Sequence, residues 1–204
     1  MVIKIENEII KYEEKDIGVR SFSVPYFVKN QTIINYDGND EVFDVDGVLS
    51  HQSQNLTPDG ELIRTSCTKD GYAIMYAIRK GYIIAVISGG GAPGVRERLE
   101  KLGVRPEDIY LKVANKTEAL AEIEQRYSLD KEAIMYMGDD IPDYKVMTQV
   151  GLPVCPLDAC EEIKSVARYI SDITGGDGCV RDVISQVLKA KGDWMDTNCY
   201  VKSM

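Results

Sequence analysis

The stretch Tyr82-Ile83-Ile84-Ala85-Val86-Ile87-Ser88-Gly89-Gly90-Gly91 decides the architecture. Its first six residues form an unbroken apolar run rich in β-branched side chains, the pattern of a strand covered on both faces. The run breaks at a serine and three glycines, and Pro93 to Leu102 then reads as a helix closed by Gly103. The same strand–helix unit recurs outward in both directions. Upstream, Val42 to Val45 is a brief strand, and Tyr72 to Lys80 is a helix with Ile74, Ala77 and Ile78 on one face and Asp70 placed as its N-cap. Downstream come strands at Ile109 to Leu111, Ala133 to Met137 and Gly151 to Cys155, with an extended piece at Tyr169 to Ser171. Helices are expected at Lys116 to Tyr127, after Pro142, at Glu161 to Ala167 and at Val180 to Lys189. Repeated units of this length predict an α/β fold, a Rossmann-like parallel sheet with helices on both faces.

In such a sheet the ligand site lies beyond the C-terminal ends of the strands. Three polar clusters fall at those ends: Asp44 with Asp46, Ser88, and Asp139 with Asp140. Between the first two units, Leu49 to Thr68 lacks a helical period. Its Pro58-Asp59-Gly60 turn lies between Gln54–Leu56 and Leu62–Arg64, which predicts a β-hairpin above the carboxylates. Residues 1–40 are largely polar and end in Asp37-Gly38-Asn39-Asp40, so they read as an N-terminal extension. Residues 41–192 form the expected domain, and 193–204 a C-terminal tail.

Composition narrows the chemistry. The 204 residues are 44% hydrophobic and 28% charged, enough apolar material for one sizeable core. A balance of 24 basic against 33 acidic residues, a formal net of −9, is the wrong sign for a general nucleic-acid binder. The single histidine, His51, excludes a multi-histidine metal site, and any Ser-His-Asp set would have to rely on it. Any catalysis would therefore run mainly on carboxylates, hydroxyls, lysine or thiols. The five cysteines (Cys67, Cys155, Cys160, Cys179 and Cys199) form no Cys-x-x-Cys pair and read as free thiols of a reducing compartment. No run approaches the roughly 18 apolar residues of a membrane span. Met1 to Lys15 lacks the apolar core of a signal peptide, so a cytoplasmic protein with no membrane partner is expected.

A single aspartate pair at a strand end is usually a turn or helix-capping feature. Two pairs on one sheet edge, joined by Ser88 and Lys116, repel one another unless a hard cation joins them, and an oxygen-rich set suits Mg²⁺. Lys116 alone, opening a helix, would be an ordinary solvated residue, and His51 reads as a hairpin surface residue.

These residues resemble a known family. Phe43-Asp44-Val45-Asp46-Gly47-Val48-Leu49, Ser88 after its strand, Lys116 in Val113-Ala114-Asn115-Lys116, and Gly138-Asp139-Asp140-Ile141-Pro142-Asp143 look like motifs I to IV of the haloacid dehalogenase superfamily, in family order. Within it, Lys69-Asp70-Gly71-Tyr72, Val95-x-x-Arg98 with Leu102-Gly103, and Gly175-Gly176-x-Gly178-x-x-Arg181 are similar to the 3-deoxy-D-manno-octulosonate 8-phosphate phosphatases. The resemblance implies a tetrameric phosphatase domain with no large cap, only a short hairpin after motif I. Its substrate would be a small phosphorylated sugar acid of lipopolysaccharide biosynthesis. The resemblance further implies Asp44 as nucleophile and Asp46 as general acid and base, with Ser88 and Lys116 on the phosphoryl oxygens. Asp44, Asp139 and the Asp46 carbonyl would hold Mg²⁺, and Asp140 and Asp143 would hold metal-bound waters or orient Lys116. Cys67, Thr68, Lys69, Asp70 and Gly71 would contact substrate, as would Arg98, although Asp70 serves equally as a cap and Arg98 as a surface ion-pair residue.

Two departures stand out. Where such phosphatases carry Thr-Gly-Arg after motif II, this chain has Ser88-Gly89-Gly90, so Arg96 or Arg98 substitutes or the substrate differs. Asp40 and Glu41 stand where a strand would carry aliphatic residues, which shortens the strand before Asp44. These departures keep open a catalytically weak assembly or regulatory subunit, and a phosphatase of nine-carbon sugar acid 9-phosphates.

Overall fold

The computed structural model describes residues 38–195 and, as backbone, four short strands ahead of them. Those four are β1 (Ile3–Glu6) paired antiparallel with β2 (Ile9–Tyr12), and β3 (Tyr26–Lys29) paired antiparallel with β4 (Thr32–Asn35). Neither pair joins the main sheet.

The main sheet has six parallel strands: β5 (Asp40–Phe43), β8 (Ile83–Ile87), β9 (Ile109–Tyr110), β10 (Ile134–Met137), β11 (Leu152–Cys155) and β12 (Tyr169–Ile170). Their spatial order is β12-β11-β10-β5-β8-β9, so β5 lies inside, hydrogen-bonded to β10 and β8. The short antiparallel pair β6 (Asn55–Leu56) and β7 (Leu62–Ile63) is the expected hairpin.

Helices cover both faces. On one, α1 (Thr68–Arg79), α2 (Pro93–Lys101) and α6 (Cys179–Ala190) pack Ile74, Ala77, Leu99, Val183 and Ile184 against Phe43, Ile84 and Val86. On the other, α3 (Lys116–Tyr127), α4 (Ile141–Met147) and α5 (Glu161–Val166) pack Leu120, Ile123, Met147 and Ile163 against Val42, Ala85, Ile134 and Tyr136. Alternation along each strand feeds both layers, which is why the strand sequences are apolar throughout.

Two expectations are corrected. The strand before Asp44 is not short: β5 begins at Asp40 and all four of its residues are buried. Ladders to β10 and β8 hold Asp40 and Glu41 in the sheet despite their ionisable side chains, since neighbouring backbones supply the pairing. Helix α1 begins at Thr68 with Cys67 as N-cap, so Asp70 does not cap it. Asp70 sits in the first turn of α1 and its Oδ1 accepts from the Arg181 backbone N–H at 2.7 Å, capping α6 across the interface. Trp194, at the start of the C-terminal tail, packs on α1, its ring centroid 5.3 Å from that of Tyr76.

Candidate active site

Asp44 follows directly on β5, its backbone N–H still bonded to Met137 of β10 at 3.0 Å. The sheet therefore delivers its carboxylate to the C-terminal edge. There Oδ1 accepts from Val45 N at 2.6 Å and Oδ2 accepts from the Lys116 ammonium. Lys116 opens α3, where Asn115 accepts from Thr117 N as N-cap, and its Nζ also donates to Asp143 Oδ1 at 2.7 Å. That same oxygen receives the Tyr136 hydroxyl at 2.7 Å, and Asp143 Oδ2 receives Asp139 N at 3.2 Å. Asp143 thus has both oxygens engaged, one by Lys116 and Tyr136 and the other by the Asp139 backbone. Ser88 ends β8 fully buried and accepts from Gly90 N at 3.2 Å. Asp140 caps α4.

These residues share one cavity of about 470 Å³, lined by Asp44, Asp46, Ser88, Lys116, Asp139, Asp140 and Asp143 among others. All four motifs therefore meet in space. Carboxylate oxygens of Asp44, Asp139 and Asp143 lie within 4.8 Å of one another, all three residues buried. Burial, then the charges of Asp44 and Asp143, push the Asp139 carboxyl up to about 7. Burial and then Asp143 likewise raise Asp44, against the pull of Lys116. Burial opposes the charge on Lys116, but Asp44 and Asp143 outweigh it and raise its pKa. Three carboxylates and one ammonium leave two negative charges unbalanced in a buried oxygen-rich set, and a hard divalent cation fits that donor chemistry.

Asp46 stands apart from this cluster. Its carboxylate takes a two-pronged ion pair from Arg64, Nε to Oδ1 at 2.7 Å and Nη2 to Oδ2 at 3.0 Å. Gln54 and Ser50 add donors to Oδ1 at 2.6 and 3.2 Å. Burial works to raise the Asp46 pKa, and the Arg64, Gln54 and Ser50 bonds outweigh it, so the carboxyl lies below its ordinary range. Arg64, Gln54 and Gln52, whose Nε2 reaches Asp139 Oδ2 at 3.2 Å, are site residues that the motif reading missed. The signal was available in part: Gln54 and Arg64 open and close the two arms of the hairpin assigned to lie above the carboxylates.

Of the expected substrate contacts, Cys67, Asp70, Gly71 and Arg98 line a second cavity of about 300 Å³ between the hairpin base, α1 and α2. Thr68 and Lys69 are exposed and line neither cavity. Arg96 is directed elsewhere, donating to the Ile109 carbonyl at 2.8 Å and the Pro106 carbonyl at 3.2 Å. His51 is a surface residue, with Nε2 3.5 Å from Asp177.

Gly47 makes the close approach of motifs I and IV possible. It has φ +82°, and a Cβ there would stand 1.9 Å from Asp139 Oδ2. Gly47→Ala is expected to displace Asp139, lower activity roughly 100-fold and destabilise the fold by about 1–3 kcal/mol. Magnesium titration calorimetry and a thermal melt check this, and an alanine variant that binds Mg²⁺ as wild type does would count against it.

The site has counterparts among known proteins. A family model for haloacid dehalogenase-like hydrolases matches residues 101–183. The 3-deoxy-D-manno-octulosonate 8-phosphate phosphatase of Escherichia coli (strain K12) is 34% identical over 151 residues, 74% of this chain and 79% of that protein. Its counterpart from Yersinia pestis is 33% identical over 150 residues, with the same coverage of 74% and 79%. The crystal structure of the Moraxella catarrhalis phosphatase in complex with magnesium, phosphate and KDO superposes with a TM-score of 0.75 at 27% identity, covering 81% of this chain and 94% of that one. The cobalt-bound Haemophilus influenzae enzyme gives a TM-score of 0.75 at 25% identity, covering 81% and 97%. Sequence, fold and the order of motifs on the sheet edge agree: the chain belongs to the 3-deoxy-D-manno-octulosonate 8-phosphate phosphatase family of haloacid dehalogenase-like hydrolases.

Proposed function

We propose that the protein is a Mg²⁺-dependent phosphomonoester hydrolase that converts 3-deoxy-D-manno-octulosonate 8-phosphate to the free sugar acid and phosphate. The observation that carries this reading is the convergence of Asp44, Ser88, Lys116 and Asp139 on one cavity at the C-terminal edge of the parallel sheet. A divalent cation held by Asp44, Asp139 and the Asp46 carbonyl would supply positive charge against both the carboxylates and the phosphoryl group. Asp44 attacks phosphorus in line and the ester oxygen departs, giving an aspartyl-phosphate. Asp46 donates a proton to that departing oxygen and then takes one from the water that hydrolyses the intermediate. Lys116 Nζ and Ser88 Oγ bind phosphoryl oxygens, and Asp143 and Tyr136 keep Lys116 in place. Local positive charge thus admits a dianion to a protein of net charge −9.

Homotetramer formation belongs to the same reading. The hairpin carries Leu56, Leu62 and Ile63 exposed at 66%, 43% and 49%, apolar surface on which assembly would rest. A cytoplasmic location fits as well, and no helix among the described residues is long and apolar enough to cross a membrane. The idea of a catalytically weak subunit loses one of its two motives, because β5 runs its full length into Asp44.

A phosphate-release screen over sugar phosphates, with and without Mg²⁺, tests the function. Turnover of the octulosonate 8-phosphate is expected to fall at least 100-fold in excess EDTA and to return with added Mg²⁺, on the order of the several kcal/mol such an ion contributes. Faster release from a nine-carbon sugar acid 9-phosphate would move the assignment to that substrate, and no release from any ester would refute it.

A further inference from the structure

We infer that Arg64 determines specificity by gripping the anionic leaving group, in addition to holding Asp46; the inference rests on the phosphatase reading above. Arg64 follows β7 directly, and its side chain is only 11% exposed. Two of its five N–H donors are spent on Asp46. The donors on Nη1 and the second on Nη2 have no acceptor among the described residues. A guanidinium fixed by one ion pair, with most of its donors unspent and open to the cavity it lines, is poised for a further acceptor.

The surroundings indicate which acceptor. Arg64 lines the cavity of about 300 Å³ as well as touching Asp46, which lines the catalytic cavity, so it stands on the wall between the two. Beyond it lie Arg98, which has no carboxylate partner among the described residues, and Asp70 Oδ2, buried and without a donor. Val45, Leu49, Ile74 and Leu99 provide apolar walls. Two guanidinium groups, one unsatisfied acceptor and an apolar floor suit a carboxylated polyol, with its acid on the arginines and its hydroxyls on Asp70. Asp46 must reach the ester oxygen, so the group attached to that oxygen begins beside Arg64. Gly90 leaves the space: a Cβ there would stand 2.7 Å from Asp46 Oδ2 and 3.0 Å from Arg64 Nη2. The cation expected at position 90 is thus supplied from the hairpin by Arg64, and Arg96 and Arg98 do not take that position.

The test compares wild type, Arg64→Lys and Arg64→Met on three esters with Mg²⁺: octulosonate 8-phosphate, arabinose 5-phosphate and p-nitrophenyl phosphate. Arg64→Met is expected to lose roughly 100-fold in kcat/KM on the sugar acid, mainly through KM, and about tenfold or less on the two esters without a carboxylate. Arg64→Lys, which keeps the charge without the fork, should recover part of the loss. Calorimetry with the unphosphorylated sugar acid should show binding weakened about tenfold or more in Arg64→Met. Gly90→Ala, which pushes on the same pair, should repeat the pattern, and thermal melts confirm that each variant is folded. Equal losses on all three esters with unchanged binding of the acid would overturn the inference, leaving Arg64 as a partner of Asp46 alone. A wild-type protein inactive on every ester refutes the phosphatase reading and this inference with it, and that result is visible before any variant is compared.

Discussion

Asp44→Asn should abolish phosphate release, with a loss of roughly 10⁴-fold or more, while the protein stays folded. The loss is large because the side chain is the atom donor to phosphorus, and no other carboxylate of the cluster can replace it. Both Asp143 oxygens are engaged by Lys116, Tyr136 and the Asp139 backbone, and Asp139 comes from a different strand end. Asparagine keeps the shape and the acceptor for Val45 N, and Lys116 retains Asp143 as its partner. The fold should gain rather than lose in the metal-free state. Burial and Asp143 raise the Asp44 pKa in the folded protein, so folding is opposed once the unfolded chain has ionised this group. With the folded value raised from 3.8 to about 7, the opposition is absent below about pH 4 and grows until about pH 7. In EDTA the variant's melting temperature should therefore exceed that of wild type at pH 7.5 and match it near pH 4. Residual turnover above about 1% of wild type would remove Asp44 from the nucleophile's role.

The parts of this fold that were legible are those where one residue's type dictates its surroundings. The run Tyr82 to Ile87 could only be a covered strand, and β8 occupies Ile83–Ile87. Lys116 to Tyr127 reads as a helix and is one over those same residues, because Asn115 caps it and its apolar side is continuous. The candidate site was legible for a topological reason: parallel strands bring their C-terminal ends to one edge, so Asp44, Ser88 and Asp139 had to meet. What escaped depends on partners distant in sequence. Thr68 to Gly71 carry no helical periodicity, yet α1 includes them, and Asp70 caps a helix more than 100 residues away. Asp40 and Glu41 look like loop residues until β10 and β8 close around them. Arg64 and Gln54 are ordinary hairpin residues until the hairpin folds over Asp46. Periodicity measures burial of apolar surface, and it is silent wherever an ionisable side chain is held inside by geometry.

Glu41 is the sharpest case, and replacing it should stabilise the protein. It lies within β5 at 0% exposure, on the same side as Phe43, toward α1 and α6. Neither carboxylate oxygen has a hydrogen-bond partner among the described residues. Burial pushes its pKa from 4.5 up to about 8, with Lys191 pulling it down and Asp40 adding to the rise. The folded state therefore holds this proton where the unfolded chain has released it, and stability must fall as pH rises. The fall begins near pH 4.5 and is complete by about pH 8, where the ionised folded form becomes accessible. At about 1.4 kcal/mol per unit, a shift of this size costs on the order of 4 kcal/mol at pH 8. Glu41→Gln removes the ionisation and should raise the melting temperature by about ten degrees at pH 8, with little change at pH 4.5. Glu41→Leu also removes both unpartnered oxygens, so it should stabilise at either pH, by roughly 1–3 kcal/mol beyond the ionisation effect. Measuring each variant's melting temperature minus that of wild type across this range cancels the other titrating groups. A difference for Glu41→Gln that stays flat with pH would mean that the carboxylate is ionised inside the fold, and the sheet would then have to contain a partner for it.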